Sequence, residues 1–160
     1  MALTMLMYAS VSRVPAITAA DIVDGIVTLA RIRNSSHDIT GALLYTGQHF
    51  VQIIEGPTAA IAALWTDLQA DPRHEGLVLA QYSPLAERRF DGWSLAYSGP
   101  AHYVQSRVQL LFSAADPKRR DRAARRLAEL MYLFSFNHQD ADKTLPAPMP
   151  NAIEDDSLSG

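Results

Sequence analysis

Two apolar runs on either side of Thr46-Gly47 constrain the fold of this chain more than any other feature. The runs are ITGALLY (residues 39–45) and QHFVQIIE (residues 48–55), and both contain β-branched and aromatic residues. Apolar runs of this length that flank a short turn with glycine are typical of a β-hairpin. A third run, LTMLMYA (residues 3–9), also predicts a strand, because it is too short for a core helix. The fold must therefore contain a sheet with antiparallel strands.

Two segments with helical spacing of their apolar residues separate these strands. The first opens at Thr18 with an approximate capping box, and the second follows Pro57, a residue suited to the first turn of a helix. Two more apolar runs, at residues 77–82 and 90–97, predict strands. The order is then strand, helix, strand, strand, helix, strand, strand. This order predicts an α+β ferredoxin-like sandwich, with a mainly antiparallel five-stranded sheet and both helices on one side.

The second face of the sheet also needs a cover. Apolar residues occupy successive positions in GALLY and FVQII, so both sheet faces must be buried. The segment after Pro100 contains two amphipathic helical patterns, which predict a helical cap on the far face. The end of the chain is rich in proline and acidic residues, a composition typical of disorder. We therefore divide the chain into a domain at residues 1–99, a helical cap at 100–138 and a disordered tail at 139–160.

Length, charge and the absence of cysteine exclude several classes of protein. A chain of 160 residues suits one domain with an extension. Without cysteine there is no disulfide, thiol nucleophile or thiolate metal site, and no two histidines show the close helical spacing of metal ligands. A net charge of −3 without a basic stripe argues against nucleic acid as a partner. No leader and no membrane-spanning run is present, so we expect a cytoplasmic protein without membrane contact.

Three polar residues do not fit a simple core pattern. Gln52 lies in the middle of an apolar strand, Tyr8 ends an apolar run, and Asn34 lies at the end of the first helix. A buried amide or phenol without a partner costs about 1–3 kcal/mol, so each of them needs a hydrogen bond. Tyr8 could be a core aromatic residue, Asn34 a helix C-cap and Gln52 a solvent-facing edge residue. Alternatively, all three satisfy one another around a ligand.

Five separated motifs resemble those of one family. They are MLMYAS, RNSSHDITGALLY, FVQIIEG, DPRHEG and FDGWSLAY, and they follow one another between Leu3 and Tyr97. In order and spacing this set is similar to the BLUF domain of blue-light receptors that bind flavin, and the short chain resembles the stand-alone members. The resemblance implies a flavin held without a covalent bond between the two helices. FAD is the expected cofactor, with FMN or riboflavin as alternatives.

The resemblance also implies roles for particular residues. Tyr8 matches the photoactive tyrosine of the family, Gln52 its switching glutamine, and Asn34 the asparagine that bonds the carbonyl side of the flavin ring. The other positions that match cofactor-binding residues, on the two helices and at the pocket rim, are Ile26, Arg33, Leu68, Arg73 and His74. No metal is implied.

The implied photochemistry explains why an amide is needed. Blue light excites the flavin, an electron and a proton leave Tyr8, and the amide of Gln52 rearranges before the charges recombine. An amide both donates and accepts hydrogen bonds, so its rotation or tautomerisation offers a new bond to the C4 carbonyl of the flavin. No substrate is turned over. We therefore expect a photoreceptor and not an enzyme.

One position departs from the family pattern. Two residues after Trp93, where most BLUF sequences carry methionine, this chain has Leu95. Leucine preserves the bulk but lacks the thioether, which is a weak acceptor. We expect the spectral switch to survive, because Tyr8 and Gln52 are present. We expect the strand that contains Trp93 and Leu95 to relay the signal. Leucine in place of methionine at position 95 is expected to change how this strand responds to the switch.

The output is expected to pass by contact through the helices after Pro100 to a signalling protein. The cluster KRRDRAARR (residues 118–126) is the densest group of charges, and it is either a solvated helix face or a docking surface for an acidic partner or another subunit. We also expect a homo-oligomer.

Two other functions are compatible with the same fold. One is a flavin-free interaction module. The other is a small acylphosphatase-like hydrolase, for which Arg13 and Asn34 are the residues to consider, although the loop near Arg13 lacks a glycine-rich phosphate cradle.

Overall fold

The predicted order of strands and helices is confirmed by a computed structural model of the chain. It describes the backbone of residues 1–98 and 102–142 and the side chains of residues 1–93 and 104–135. The predicted disordered tail lies outside the described residues from 143 onward. The elements are β1 (Leu3–Ser12), a 3-10 turn (Ala16–Thr18), α1 (Ala19–Ser36), β2 (Thr40–Tyr45), β3 (His49–Pro57), α2 (Thr58–Ala70), β4 (His74–Leu85), β5 (Trp93–Ser98), α3 (His102–Ser113) and α4 (Pro117–Asp142).

The sheet has five strands in the order β4, β1, β3, β2, β5. All neighbours are antiparallel except β2 and β5, which are parallel. The sheet is therefore mainly antiparallel, as predicted. The central strand β3 pairs with β1 so that Gln52 lies directly opposite Tyr8. The register thus brings together two residues that are far apart in the sequence.

The outer strands differ from the predicted boundaries. β4 begins at His74 and ends at Leu85, because its polar ends continue to pair with β1 as far as Ser12. β5 begins only at Trp93, and Phe90 lies in the preceding turn with its ring buried. Backbone pairing with a neighbouring strand determines where β4 and β5 begin and end. The pattern of apolar residues alone does not reveal this pairing.

Helices cover both faces of the sheet. α1 and α2 lie on one face, where they pack on alternate residues of the strands such as Leu6, Leu43 and Ile54. α3 and α4 lie on the other face, over a cluster that includes Met7 and Val51. α4 runs past residue 138, where the helical cap was predicted to end. In the described part of the chain, no helix combines the length and the apolar character that crossing a membrane requires.

Candidate functional site

Tyr8 and Gln52 form a buried pair on the sheet face that α1 and α2 cover. Only 2% of Tyr8 and 4% of Gln52 is exposed. The phenol O–H donates a 2.7 Å hydrogen bond to Oε1 of the amide. Gln52 is therefore buried and paired, which removes the alternative of a solvent-facing edge residue. The amide in the middle of an apolar strand accepts from a phenol on the neighbouring strand.

The surroundings keep the Tyr8 phenol neutral. Burial is the largest influence and raises the pKa of Tyr8 well above its ordinary value. The charge of Asp71 acts in the same direction, whereas Arg33 and Arg73 act against it. The proton therefore stays on the phenol, which donates it in the hydrogen bond to Gln52.

Asn34 is fully buried, with 0% exposed, in the last turn of α1. Its backbone carbonyl accepts from His37 and Ile39, but neither Oδ1 nor Nδ2 of its side chain has a partner among the described residues. The helix C-cap is His37, and the residue with positive φ is Asp38. The C-cap interpretation of Asn34 is therefore wrong. An amide with two unpaired buried ends needs a ligand or water that can both donate and accept.

A cavity of about 350 Å³ lies between α1 and α2 and reaches the sheet. Of the predicted site residues whose side chains the structure describes, all except Asn34 line it. The lining comprises Tyr8, Ile26, Leu29, Ala30, Arg33, Leu43, Phe50, Gln52, Asp67, Leu68, Asp71, Arg73, His74 and Trp93. Apolar side chains from both helices form its walls, and polar groups lie at the sheet and near the ends of the helices. A planar, mostly apolar ligand with polar edges fits such a lining.

His74 closes one side of the cavity through two hydrogen bonds. Its Nε2 lies 2.7 Å from the carbonyl oxygen of Leu68, and its Nδ1 lies 2.7 Å from the Ser10 hydroxyl. Because a carbonyl only accepts, Nε2 carries a proton, and in the neutral ring Nδ1 then accepts from the Ser10 hydroxyl. The ring also lies edge-on to Tyr8 and Phe50. Both ring nitrogens are occupied, so His74 ties the end of α2 to β1 and contributes a wall rather than a polar contact.

Charged residues surround one end of the cavity. Arg73 binds Asp71 with two nitrogens, at 2.6 Å for the shortest contact. The hydrogen bond from Arg73 lowers the pKa of Asp71, which stays ionised. Arg33 and Asp67 approach from α1 and α2. Sequence reasoning missed Asp67, Asp71 and Phe50, and of these only Phe50, two residues before Gln52 on the same strand face, carried a local signal.

Trp93 begins β5 and is buried against α1. Its indole Nε1 is buried without a partner in the described chain, and its carbonyl oxygen accepts a long hydrogen bond, 3.4 Å, from Arg31 Nε. The backbone of Leu95 pairs with Leu43 of β2, and the Leu95 side chain lies outside the described residues. Trp93, which lines the cavity, therefore adds a third unpaired polar atom to the two of Asn34.

A family model described as sensors of blue-light using FAD matches residues 3–96. The chain belongs to the BLUF family. The match covers more than half of the chain and ends within β5. The motifs of the sequence predicted this family, whose members are described as blue-light sensors.

Individual relatives carry the same domain in different proteins. The chain is 39% identical over 70 residues to the blue light- and temperature-regulated antirepressor BluF of Escherichia coli (strain K12). This alignment covers 42% of this chain and 17% of that protein. It is 32% identical over 93 residues to the photoactivated adenylate cyclase subunit alpha of Euglena gracilis, covering 58% of this chain and 9% of that subunit. The chain thus spans only a small part of these relatives.

Solved structures agree with the fold. BlrB, a BLUF protein in its dark state, is 35% identical, with a TM-score of 0.60, and the match covers 83% of this chain and 94% of BlrB. The photo-activated state of BlsA gives a TM-score of 0.66 at 20% identity, which shows the fold alone, and covers 82% of this chain and 95% of BlsA.

The comparisons give no support to a hydrolase. In the structure, Arg13 lies 3.6 Å from Glu75 in an exposed ion pair, and Asn34 is buried in α1, so they do not form an anion site together. No group of residues that could hold a metal ion occurs within the part of the chain that the structure describes.

Proposed function

We propose that FAD binds in the cavity between α1 and α2, with the flavin ring against Tyr8 and Gln52. The single observation that carries this proposal is the buried Tyr8–Gln52 pair, whose two side chains both line the cavity. Asn34 is not among the lining residues, but both polar atoms of its buried amide lack a partner in the described chain, and the carbonyl groups and N–H of a flavin edge that extends to the end of α1 would satisfy them. Ile26 and Leu68 would hold the faces of the ring from the two helices.

Bound flavin supplies the absorption of blue light and the capacity to accept an electron. The residues of the chain would supply the electron, the path of the proton and the hydrogen bonds to the ring. Tyr8 would provide an electron, and its proton would move from the phenol oxygen to Oε1 of Gln52 along the 2.7 Å hydrogen bond. Gln52 would then rotate or tautomerise, and it would offer a different group to the ring after the electron and a proton have returned to Tyr8. Since β1 and β3 are central strands, they hold the two side chains in register throughout.

Charge at the mouth of the cavity supports a flavin with phosphate groups. Arg33 and Arg73 both line the cavity, Arg73 in its pair with Asp71. Guanidinium groups suit phosphate oxygens. The description of the family names FAD, and we assign FAD over FMN and riboflavin. Mass spectrometry of the cofactor released from the protein by heat distinguishes the three.

An absorption spectrum before and after blue light tests the proposed function. A structured flavin band in the dark that shifts reversibly to longer wavelength supports it. A colourless protein that does not take up added flavin would contradict it and leave the alternative of a flavin-free interaction module.

We expect Asn34→Ala to raise the dissociation constant for FAD about tenfold, because one hydrogen-bonded amide is worth about 1.4 kcal/mol. Isothermal titration of the flavin-free protein with FAD measures the change. The matched control is Ser35→Ala, one residue further along on the exposed side of α1. Equal affinity in Asn34→Ala and in the unmodified protein would show that the amide does not contact the cofactor.

The strand β5 would relay the change, with Trp93 at the cavity and Leu95 two residues further. For Leu95→Met we expect an unchanged dark spectrum and red shift but an altered rate of dark recovery, because methionine adds a thioether acceptor at the β5 position that pairs with Leu43, which in turn pairs with Gln52. Absorbance recorded after a light pulse measures both quantities. Unchanged recovery together with unchanged assembly after illumination would argue against a role for position 95.

For the whole chain we propose a sensor domain at residues 1–99 with a helical cap at 100–138. The helices α3 and α4 pack on the sheet face opposite the cavity, which supports contact with a partner protein as the output. The named relatives, an antirepressor and a cyclase subunit, support signalling to another protein or domain. We place this signalling in the cytoplasm, in a homo-oligomer, without enzymatic turnover, nucleic-acid binding or membrane contact.

The basic cluster at residues 118–126 is the surface that we propose for an acidic partner or another subunit. Within it, Arg125 pairs with Asp121, and Arg120 donates to the Ala114 carbonyl at the end of α3. Lys118, Arg119, Arg122 and Arg126 are exposed. Both interpretations of the cluster, docking surface and solvated face, are compatible with this exposure, and light-dependent binding that weakens with salt would favour docking.

A further inference from the structure

Glu55 is a buried carboxylate on the sheet face opposite the cavity. It lies on β3, three residues after Gln52, and only 1% of it is exposed. Its Oε2 accepts hydrogen bonds from the backbone N–H groups of Arg89, at 2.9 Å, and Phe90, at 3.1 Å. Burial raises the pKa of Glu55, and these two hydrogen bonds act against that rise. A buried acid thus holds the turn before β5 at a set distance from β3.

The side chain of Arg88 binds the same turn to β3 and to the residues around the start of β2. Its Nη1 donates to the Glu55 carbonyl oxygen and to Thr40 Oγ1, both at 3.0 Å. Its Nη2 donates to the carbonyl oxygen of Asp38 and lies 2.8 Å from its carboxylate. The turn is therefore bound to the segment between α1 and β2 as well as to β3.

The next two side chains of the turn contact helix α4. The Arg89 guanidinium donates to both carboxylate oxygens of Glu129, at 2.8 and 3.1 Å, and lies 4.8 Å from the centre of the Tyr132 ring. The Phe90 ring is buried and meets the Tyr132 ring edge-on at 5.8 Å. Arg89 and Phe90 therefore contact β3 through their backbone and α4 through their side chains.

We propose that the turn at residues 88–90 transmits the rearrangement at Gln52 to helix α4, with Glu55 and Arg89 as positioning residues. The inference rests on the proposed photochemistry at Gln52. Gln52 and Glu55 lie about 10 Å apart along one strand, because each residue of a strand advances the chain by about 3.4 Å. Their side chains point to opposite faces, so β3 itself is the connection between the cavity and the turn.

The turn must follow any displacement of β3. If it did not, two buried N–H groups would lose their acceptor, which is strongly unfavourable. The ion pair between Arg89 and Glu129 is partly exposed and adds little to stability, but its two parallel hydrogen bonds define an orientation of α4 relative to the turn. Removing this pair therefore tests the coupling without unfolding the protein.

The experiment uses the full chain loaded with FAD. It examines three variants, namely Arg89→Gln, Glu129→Gln and the double variant that combines these two substitutions, and it compares each of them with the control variant Arg125→Gln. Arg125→Gln breaks an exposed ion pair with Asp121 on the same helix and is the matched control. Two quantities are measured: the light-induced red shift, and the difference between dark and light in the hydrogen exchange of α4. None of the substituted residues lines the cavity, so we expect the red shift in all variants.

In both single variants we expect the light-induced difference in α4 exchange to fall about threefold or more, with no further loss in the double variant. Arg125→Gln should retain the full difference. A full difference in Arg89→Gln, an equal loss in the control, or no difference in the unmodified protein that still shows the red shift would overturn the coupling. Absence of the red shift from the unmodified protein would instead overturn the photochemistry.

Discussion

Replacing Gln52 with leucine is expected to abolish the light-induced red shift while the dark protein still contains flavin. Leucine has a similar size, but it neither accepts from the Tyr8 phenol nor presents an amide to the ring. The 2.7 Å hydrogen bond from Tyr8 is lost, and with it the path for the proton. Absorption spectra in the dark and under blue light measure the effect. The expected magnitude is complete loss of the reversible shift.

The control for this substitution is Gln48→Leu. Gln48 is an amide in the turn before β3, where its side chain accepts from Gln105 outside the cavity. This variant should keep the full red shift. A red shift of normal size in Gln52→Leu would contradict the switching role of Gln52, whereas loss of the shift in both variants would indicate a general disturbance of β3.

Replacing Glu55 with leucine is expected to cause the largest loss of stability of any substitution considered. The change leaves the backbone N–H groups of Arg89 and Phe90 without their acceptor in a buried position. Each such group costs about 1–3 kcal/mol, so for the two groups we expect a loss of about 2–6 kcal/mol in the free energy of unfolding. Urea denaturation with saturating flavin, followed by circular dichroism, measures it.

The control is Glu55→Gln, whose amide oxygen remains an acceptor for both N–H groups. We expect a loss of about 1 kcal/mol or less in this variant. The pH dependence gives a second test. Because burial raises the pKa of Glu55, the folded chain holds this proton more tightly than the unfolded chain. Its contribution to stability is therefore present at low pH and is lost as the pH rises through the folded pKa, and Glu55→Gln should lack this slope. Equal stability of Glu55→Leu and the unmodified protein would contradict the role of the carboxylate.

Much of the fold could be predicted because its signals are local. The type and order of the elements follow from apolar runs of strand length, from helical spacing and from a turn that contains glycine. Each of these signals lies within a short stretch of the sequence. The hairpin around Thr46-Gly47 is an example. The ends of β4 and β5 could not be predicted as well, because polar residues such as His74 join a strand only when a neighbour offers its backbone.

The candidate site was predictable where a residue conflicts with its local pattern. Gln52 within an apolar strand is such a conflict, and its resemblance to a family motif gave it a proposed role. Asn34 was ambiguous, since an asparagine at a helix end also suits a cap. Only the buried, unpaired amide favours contact with a ligand. His74 was expected at the rim, but its two hydrogen bonds depend on the approach of α2 to β1.

The sequence by itself determined the order of strands and helices, the burial of both sheet faces and the family. Only the tertiary structure decided which distant groups meet. The bond from Tyr8 to Gln52 depends on the register of β1 and β3, and the contact of Arg89 with Glu129 depends on how α4 lies across the far face. The physical reason is that periodicity encodes which face a residue occupies, whereas partners across a sheet or between layers are set by the packing of the whole chain.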